Sequence, residues 1–371
     1  MNAHIEMIDR AARELAVGDK RSALEMAERL CLPHYLEGLP EERLAHAFGS
    51  GLVARILGNA KECGNLYLNG TGPDEMLNAF QVLVEQTPLV RFGYSAANEA
   101  LLSSIEDSKV LHIIDIGIGR GGQWHEFFAK LAQRQHSARV RLTGIEVPGS
   151  EDQLAEVGIA LEMRARQFGI DFSFVPLAAK VEELVDFGTR AGETVFVNAS
   201  FALHHVPDGD AVLDLSRSRD SVLRRIRALS PRTLVLVEPD VEHNTLAFTD
   251  RVAESSAHYA IVFDMFEHLF PRDFQPRQIL EQGFFAKEIV NIVAGEGVMR
   301  VERHERKEAW RQRLLRQDFH VGDISSMAEG VARELQLTAP FSVTASDGVL
   351  TLRWKGEPMV SAFSWQAMGE D

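Results

Sequence analysis

Four glycines follow a short apolar stretch in "LHIIDIGIGRGGQWHEFF", residues 111–128. Apolar residues fill both faces of 111–116, which indicates a buried strand, and those after the glycines recur at helical spacing. Glycine permits positive φ and lets a ligand approach the main chain closely. Strand, glycine turn and helix in this order form the nucleotide-binding corner of a doubly wound α/β sheet. The stretch therefore predicts a cofactor site.

Two cofactor classes fit these glycines. Gly117, Gly119 and Gly122 satisfy the dinucleotide fingerprint of NAD enzymes. Gly117, Gly119 and Gly121, preceded by Asp115, fit the first motif of S-adenosylmethionine (SAM) methyltransferases. A carboxylate at this place repels a diphosphate and attracts the ammonium group of SAM. Asp115 therefore favours SAM, and an NAD-dependent oxidoreductase is the weaker alternative.

Polar residues at other strand ends complete such a site. Glu146 ends the predicted second strand, where an acid can accept hydrogen bonds from both hydroxyls of a ribose. Asn198 follows the predicted fourth strand and should face the cofactor and the methyl acceptor. We expect Gln123 and Trp124, directly after the glycine turn, to belong to the same cofactor-binding set.

Three residues are candidates for the general base. His204 and His205 follow the fourth strand, and an imidazole with a near-neutral pKa can take a hydroxyl proton. The two are adjacent and point differently, so at most one is expected to act. Glu238, at the end of the fifth strand, is the next candidate. Packing or helix capping is the other interpretation of each histidine.

A helical stretch at about 243–270 interrupts the alternation of strands and helices, close to the edge where ligands bind. Four of its residues are predicted to contact the acceptor: His243, Asn244, Phe263 and Glu267. Its aromatic side is more typical of core between two lobes than of a binding wall, although we expect one or two of its rings to contact the substrate. No spacing typical of metal ligands, such as HExxH, occurs in the chain, so no metal is predicted.

Composition narrows the class of protein. The chain has 371 residues, a net charge of −15 and two cysteines. The acidic balance argues against a nucleic-acid partner, and the basic run 217–229 is interpreted as an amphipathic helix with a solvated charged side. No apolar run is long enough for a membrane span, and the first residues lack the regions of a signal peptide. We therefore expect a cytoplasmic protein without membrane attachment.

The periodicity predicts two parts. Residues 1–108 show helical spacing and form an α-helical N-terminal cap. Residues 109–371 alternate between strands and helices, which predicts a Rossmann-like α/β core with a doubly wound, mostly parallel sheet. A helical insertion at about 241–275 joins the cap, and residues 341–356 form an antiparallel hairpin around an Asp-Gly turn.

Five stretches occur in an order that matches one protein family. They are 89–101, "LHIID" at 111–115 with "GQW" at 122–124, 259–272, 286–314 and 353–365. These resemble the segment upstream of the VHIID motif, the VHIID motif itself, the helical insertion, the PFYRE region and the closing SAW motif of the GRAS family. The resemblance covers about residues 80–365 and implies a SAM-methyltransferase-like Rossmann core with a helical cap.

The family is known mainly for plant transcriptional regulators, and bacterial members are proposed to be methyltransferases. Plant versions typically lose the glycine turn, whereas this chain keeps Asp115, Gly117, Gly119, Gly121 and Glu146. We also expect the chain to lack the long N-terminal extension of plant members. These departures favour a bacterial-type, SAM-dependent methyltransferase, with a small-molecule acceptor bound between core and cap and methylated on oxygen or nitrogen.

The alternative is a non-catalytic GRAS-type regulatory or interaction protein, with SAM as a structural ligand or with none. Plant relatives pair through their helical caps, so the resemblance also suggests a homodimer formed through the cap.

Overall fold

The computed structural model describes residues 3–58, 73–105, 108–134 and 138–367. The chain forms two compact units. The helical unit comprises Met1–Thr87, Pro207–Leu213 and Val241–Arg306. The sheet unit comprises Pro88–Val206, Asp214–Asp240 and Lys307–Asp371. The predicted division into 1–108 and 109–371, with an insertion at about 241–275, stays a prediction.

The sheet unit contains one sheet, whose nine strands lie within the described residues. They are β1 (Val110–Ile116), β2 (Arg139–Glu146), β3 (Phe172–Ala178), β4 (Thr194–Ser200), β5 (Thr233–Pro239), β6 (Phe319–Val321), β7 (Phe341–Ser346), β8 (Val349–Trp354) and β9 (Glu357–Ala367). The strand order is β3-β2-β1-β4-β5-β9-β8-β7, and β6 pairs with β9. Strands β1 to β5 run parallel to one another. Strand β9 pairs antiparallel with β5, β6 and β8, and β7 pairs antiparallel with β8. The predicted fold class, Rossmann-like with a C-terminal antiparallel hairpin, is confirmed.

The helices divide between the two units. In chain order, those described are α1 (Ala3–Ala16), α2 (Lys20–Leu30), α3 (Pro40–Leu57), α4 (Pro73–Gln86), α5 (Pro88–Ser103), α6 (Gly122–Gln133), α7 (Glu151–Gln167), α8 (Arg219–Ala228), α9 (Phe248–Leu269), α10 (Gln275–Gln278), α11 (Ala286–Ala294), α12 (Lys307–Arg316) and α13 (Ala328–Glu334). Helices α1–α4 and α9–α11 belong to the helical unit, and the others belong to the sheet unit. A π-helical segment, Ile279–Phe285, links α10 to α11. None of the helices in the described part of the chain is both long and apolar enough to cross a membrane.

The core of the sheet unit explains why β1, β4 and β5 are apolar on both faces. Helices cover both sides of a parallel sheet, so nearly every residue of these three strands is buried. All four tryptophans of the chain lie in this unit and are fully buried: Trp124, Trp310, Trp354 and Trp365. The predicted site residues lie at the ends of these strands, and the packed sheet fixes the positions of those ends.

The helical unit packs through small residues. A Cβ added at Gly49 of α3 would lie 2.9 Å from the carbonyl oxygen of Ala27 in α2, so glycine is what allows these helices to approach.

The helical unit also contains a buried arginine. Arg43 is 4% exposed and donates hydrogen bonds to Glu281 and Glu267. A buried charge is stable only when it is paired in this way.

Candidate functional site

The glycine turn between β1 and α6 has the backbone geometry that its sequence predicts. Gly117, Gly119 and Gly121 have φ values of 78°, 54° and 70°, a region that side chains with a Cβ rarely adopt. A Cβ at Gly117 would lie 2.8 Å from the Cβ of Ala202, whereas one at Gly119 would meet nothing within 4 Å. The main-chain conformation alone therefore accounts for glycine at these positions.

Asp115 lies beneath this turn and is almost completely buried, with 3% of its surface exposed. It is the register partner of Asn198 across β1 and β4. Its Oδ1 accepts a hydrogen bond from Asn198 Nδ2 at 2.7 Å, and its Oδ2 accepts one from the indole Nε1 of Trp124 at 2.6 Å. Burial raises the pKa of Asp115 to about 7, although both hydrogen bonds oppose this shift.

A buried hydrogen-bond network extends from Asp115 into α5 and α6. Gln123 Nε2 donates to Asn198 Oδ1 at 3.3 Å and to Asn98 Oδ1 at 3.2 Å. Asn98 Nδ2 in turn donates to the carbonyl oxygen of Gln123. The structure thus brings together Asp115, Gln123, Trp124 and Asn198, as predicted, and their roles toward a cofactor stay predictions. Sequence reasoning missed Asn98, whose signal is a polar residue within the apolar run of α5.

Glu146 closes the other side of the turn. Its Oε2 accepts a hydrogen bond from the main-chain N–H of Gly119 at 3.0 Å, and its Oε1 accepts one from Val147 N–H at 3.1 Å. The Nε2 atom of Gln153 donates to the carbonyl oxygen of Gly119 at 2.9 Å. Burial raises the pKa of Glu146. This carboxylate therefore ties the glycine turn to the end of β2.

These contacts bear on whether SAM fits. The SAM hypothesis requires Asp115 to face an ammonium group and Glu146 to face ribose hydroxyls. Instead, both oxygens of Asp115 accept hydrogen bonds from buried side chains, and both oxygens of Glu146 accept them from the main chain. Both carboxylates therefore already have hydrogen-bond partners in the protein itself, and the assignment of SAM stays a prediction.

The predicted catalytic residues lie at the ends of two neighbouring strands: His204 and His205 follow β4, and Glu238 lies at the end of β5. Glu238 ends β5 and is 1% exposed, and its Oε2 lies 2.5 Å from the Nδ1 of His204. Its Oε1 accepts hydrogen bonds from the main-chain N–H groups of Leu203 at 3.0 Å and His204 at 3.2 Å. Glu238 thus binds three donors of the segment after β4. The centroid of the His205 ring lies 3.9 Å from the centroid of the His204 ring, and His205 is only partly buried.

A buried arginine holds the same segment from the opposite side. Arg219 is 0% exposed, donates to the carbonyl oxygen of His204 at 2.9 Å, and stacks its guanidinium over the Trp310 ring at 4.9 Å. The interpretation of run 217–229 as a helix with a solvated charged side is therefore wrong for this residue. Its position among other arginines in the sequence gave no sign of burial.

The four predicted substrate residues belong to the helical unit. His243 Nδ1 lies 3.0 Å from the Nδ1 of His304, and Phe263 is 1% exposed. Asn244 donates to carboxylates of Asp208 at 2.7 Å and Glu305 at 2.8 Å. Glu267 accepts hydrogen bonds from three arginines, namely Arg43, Arg272 and Arg277. Hydrogen bonds within this unit thus involve His243, Asn244 and Glu267, Phe263 is buried, and the role of all four toward a substrate stays a prediction.

The strand order and the glycine turn after β1 define a Rossmann-like α/β protein. The model of the GRAS domain family matches residues 5–366. The chain therefore belongs to the GRAS family, as the motifs in its sequence predict.

Similar proteins come from plants. Scarecrow-like protein 1 of Arabidopsis thaliana is 33% identical over 366 residues, which cover 96% of this chain and 61% of that protein. Scarecrow-like transcription factor PAT1 of Arabidopsis thaliana is 32% identical, with 96% and 74% covered. The crystal structure of SCL7 in Oryza sativa superimposes with a TM-score of 0.83 at 26% identity, covering 99% of this chain and all of that one.

These relatives correct the functional predictions. The expectation of a bacterial-type SAM-dependent methyltransferase is wrong, because the relatives are plant GRAS proteins and one is named as a transcription factor. The predicted partners, a small-molecule substrate and no nucleic acid, are contradicted for the same reason. Asp115, Glu146 and Glu238 each accept hydrogen bonds from the protein itself, so the presence of these residue types alone does not indicate catalysis.

Proposed function

We propose that this chain is a non-catalytic regulatory protein of the GRAS family that takes part in the control of transcription through binding. The proposal is supported by Scarecrow-like transcription factor PAT1, whose name states this role for that protein. The single observation that carries it is the use of Glu238: three donors of the chain itself converge on a carboxylate that sequence reasoning assigned to catalysis.

A general base must present a lone pair within hydrogen-bond reach of the proton that it removes. Glu238 is 1% exposed and His204 is 4% exposed, and they are hydrogen-bonded to each other. The pair fits a structural role, because breaking it would leave buried polar groups unsatisfied.

The test is transcription from a tethered reporter. We would fuse the chain to an unrelated DNA-binding domain and measure reporter output in plant cells against that domain alone. We expect the fusion to change output in either direction. A matched fusion carrying Leu236→Asp, which places a charge in the buried centre of β5, controls for an unfolded chain and should give no change. Equal output from all three proteins would contradict the proposal.

The cytoplasmic location predicted from the sequence stays a prediction, and fractionation of cells that express the chain would test it.

A further inference from the structure

Strand β7 forms one edge of the sheet. It pairs with β8 on its inner side, and no strand of the described chain pairs with its outer side. An edge of this kind presents unpaired N–H and C=O groups, and proteins normally protect it with proline, with charged side chains or with a bulge. The opposite edge of the sheet follows this rule, because Pro176 of β3 has no N–H to offer to a further strand.

Strand β7 has none of these protections. Its six residues, "FSVTAS", contain neither proline nor a charged side chain, although a quarter of the residues of the chain are charged. The pairing with β8 is regular from Phe341 to Ser346, without a bulge. Ser342, Thr344, Ala345 and Ser346 are exposed. The edge is therefore open to a further strand.

The register of the hairpin shows where the main-chain groups of β7 point. A two-residue turn at 347–348, with positive φ at both positions, joins β7 to β8, so Ser346 and Val349 form the hydrogen-bonded pair that closes it. Hydrogen-bonded pairs then alternate along an antiparallel ladder. The hydrogen bond from the N–H of Lys355 to the carbonyl oxygen of Pro340, at 3.1 Å, lies three steps further on and follows the same alternation. The even-numbered residues of β7 therefore point their main-chain groups at β8.

The odd-numbered residues point their main-chain groups away from the sheet. The N–H of Phe341 donates to the carbonyl oxygen of Thr338 at 3.0 Å. The register leaves the N–H and C=O groups of Val343 and Ala345 without a partner in the described part of the chain. Residues two apart along a strand are separated by about 7 Å, which is also the spacing at which another strand presents its own donors and acceptors. The ligand that fits these groups is thus main chain in an extended conformation.

We propose that β7 binds an extended segment of a partner protein as an additional strand. The side chains of the edge define this segment. Phe341 and Val343 are partly buried on one face, where the centroid of the Phe341 ring lies 4.7 Å from that of Trp354. Ser342 and Thr344 are exposed on the other face. The segment therefore alternates apolar and polar residues, and its centre is uncharged because β7 offers no opposite charge.

Binding of a defined peptide tests the edge directly. The probe is the peptide KTVTVTVK, with blocked ends and a fluorescent label, whose anisotropy is followed during titration with the full chain. We expect saturable binding that Ala345→Pro weakens at least about fivefold, because proline removes one outward N–H and is tolerated in an edge strand. Ala345→Thr keeps this N–H, so it is the matched control and should bind like the wild type. No binding by the wild type, or equal binding by both variants, would overturn the proposal.

Amide hydrogen exchange provides a second measurement, which needs no variant. The amides of Val343 and Ala345 should exchange fast in the free chain and slowly with saturating peptide. The amide of Thr344 faces β8 and should already be protected in the free chain. Protection of Val343 and Ala345 without peptide would show that the edge is already covered, for example by a second copy of the chain, and would overturn the proposal. Unchanged fast exchange with peptide would also overturn it.

The tethered reporter separates this proposal, which rests on the proposed function, from that function itself. The change in output that the wild-type fusion causes should be lost with Ala345→Pro and kept with Ala345→Thr. The same change with both variants would overturn the assignment of β7 as the binding edge and leave the regulatory function standing. A wild-type fusion without effect would contradict the regulatory function, and the peptide titration would still decide whether β7 binds an extended segment.

Discussion

Replacing Glu238 with alanine should destabilise the sheet unit strongly. The substitution removes the acceptor of three buried donors, the N–H groups of Leu203 and His204 and the Nδ1 of His204. A buried donor left without an acceptor costs about 1–3 kcal/mol. Even at about 1 kcal/mol each, the three donors give a loss of about 3 kcal/mol.

Tryptophan fluorescence in urea is a suitable assay. All four tryptophans are buried in the sheet unit, so their signal follows the unfolding of the unit that contains Glu238. We expect Glu238→Ala to lower the free energy of unfolding by about 3 kcal/mol or more. Glu238→Gln should cost less, about 1–2 kcal/mol, because its amide oxygen can still accept the two main-chain hydrogen bonds.

The control is Glu126→Ala, which removes an exposed glutamate from α6 and should change the unfolding free energy by less than about 0.5 kcal/mol. Equal effects of Glu238→Ala and Glu126→Ala would refute the structural role assigned to Glu238. The hydrogen-bond geometry predicts a large loss of unfolding free energy for Glu238→Ala, an intermediate loss for Glu238→Gln and almost none for Glu126→Ala.

Two further predictions concern the same unit. Burial raises the pKa of Asp115 from 3.8 to about 7, so the stability that protonated Asp115 contributes is lost as the pH rises from about 4 through about 7. The unfolding free energy of the wild type, measured by urea titration, should therefore fall over this pH range relative to that of Asp115→Asn. A difference between the two unfolding free energies that does not change with pH would contradict the shift. A Cβ at Gly93 would lie 2.6 Å from Val237 Cγ1, so Gly93→Ala should cost about 1–3 kcal/mol. Gly330→Ala in α13 meets nothing within 4 Å and should gain up to about 1 kcal/mol; equal effects in urea unfolding would contradict the packing at Gly93.

The fold could be predicted from the sequence because its signals are local. Apolar runs bounded by glycine gave β1 and the turn, and the period of the apolar residues separated helices from strands. The end positions of parallel strands then brought Asp115, Glu146 and Asn198 to one edge of the sheet. These inferences needed only spacing and residue type.

The use of the site could not be predicted in the same way. Asp115 and Glu146 are the residue types that a cofactor needs, and they are equally the types that a buried indole or a glycine turn needs. Which donors they meet depends on long-range packing, such as the position of Trp124 on α6. Arg219 gives the converse case, because a charged residue in a basic run is buried against Trp310.

The most direct test of the central claim, that the residues at this edge of the sheet serve the fold and not catalysis, is the variant His204→Asn. The Nδ2 of asparagine can take the place of the imidazole Nδ1 and keep the hydrogen bond to Glu238, while the amide of asparagine cannot act as a base as the imidazole can. The variant's output in the tethered reporter assay should equal that of the wild type, with near-wild-type stability in urea. Loss of output from a variant that folds normally would contradict the claim.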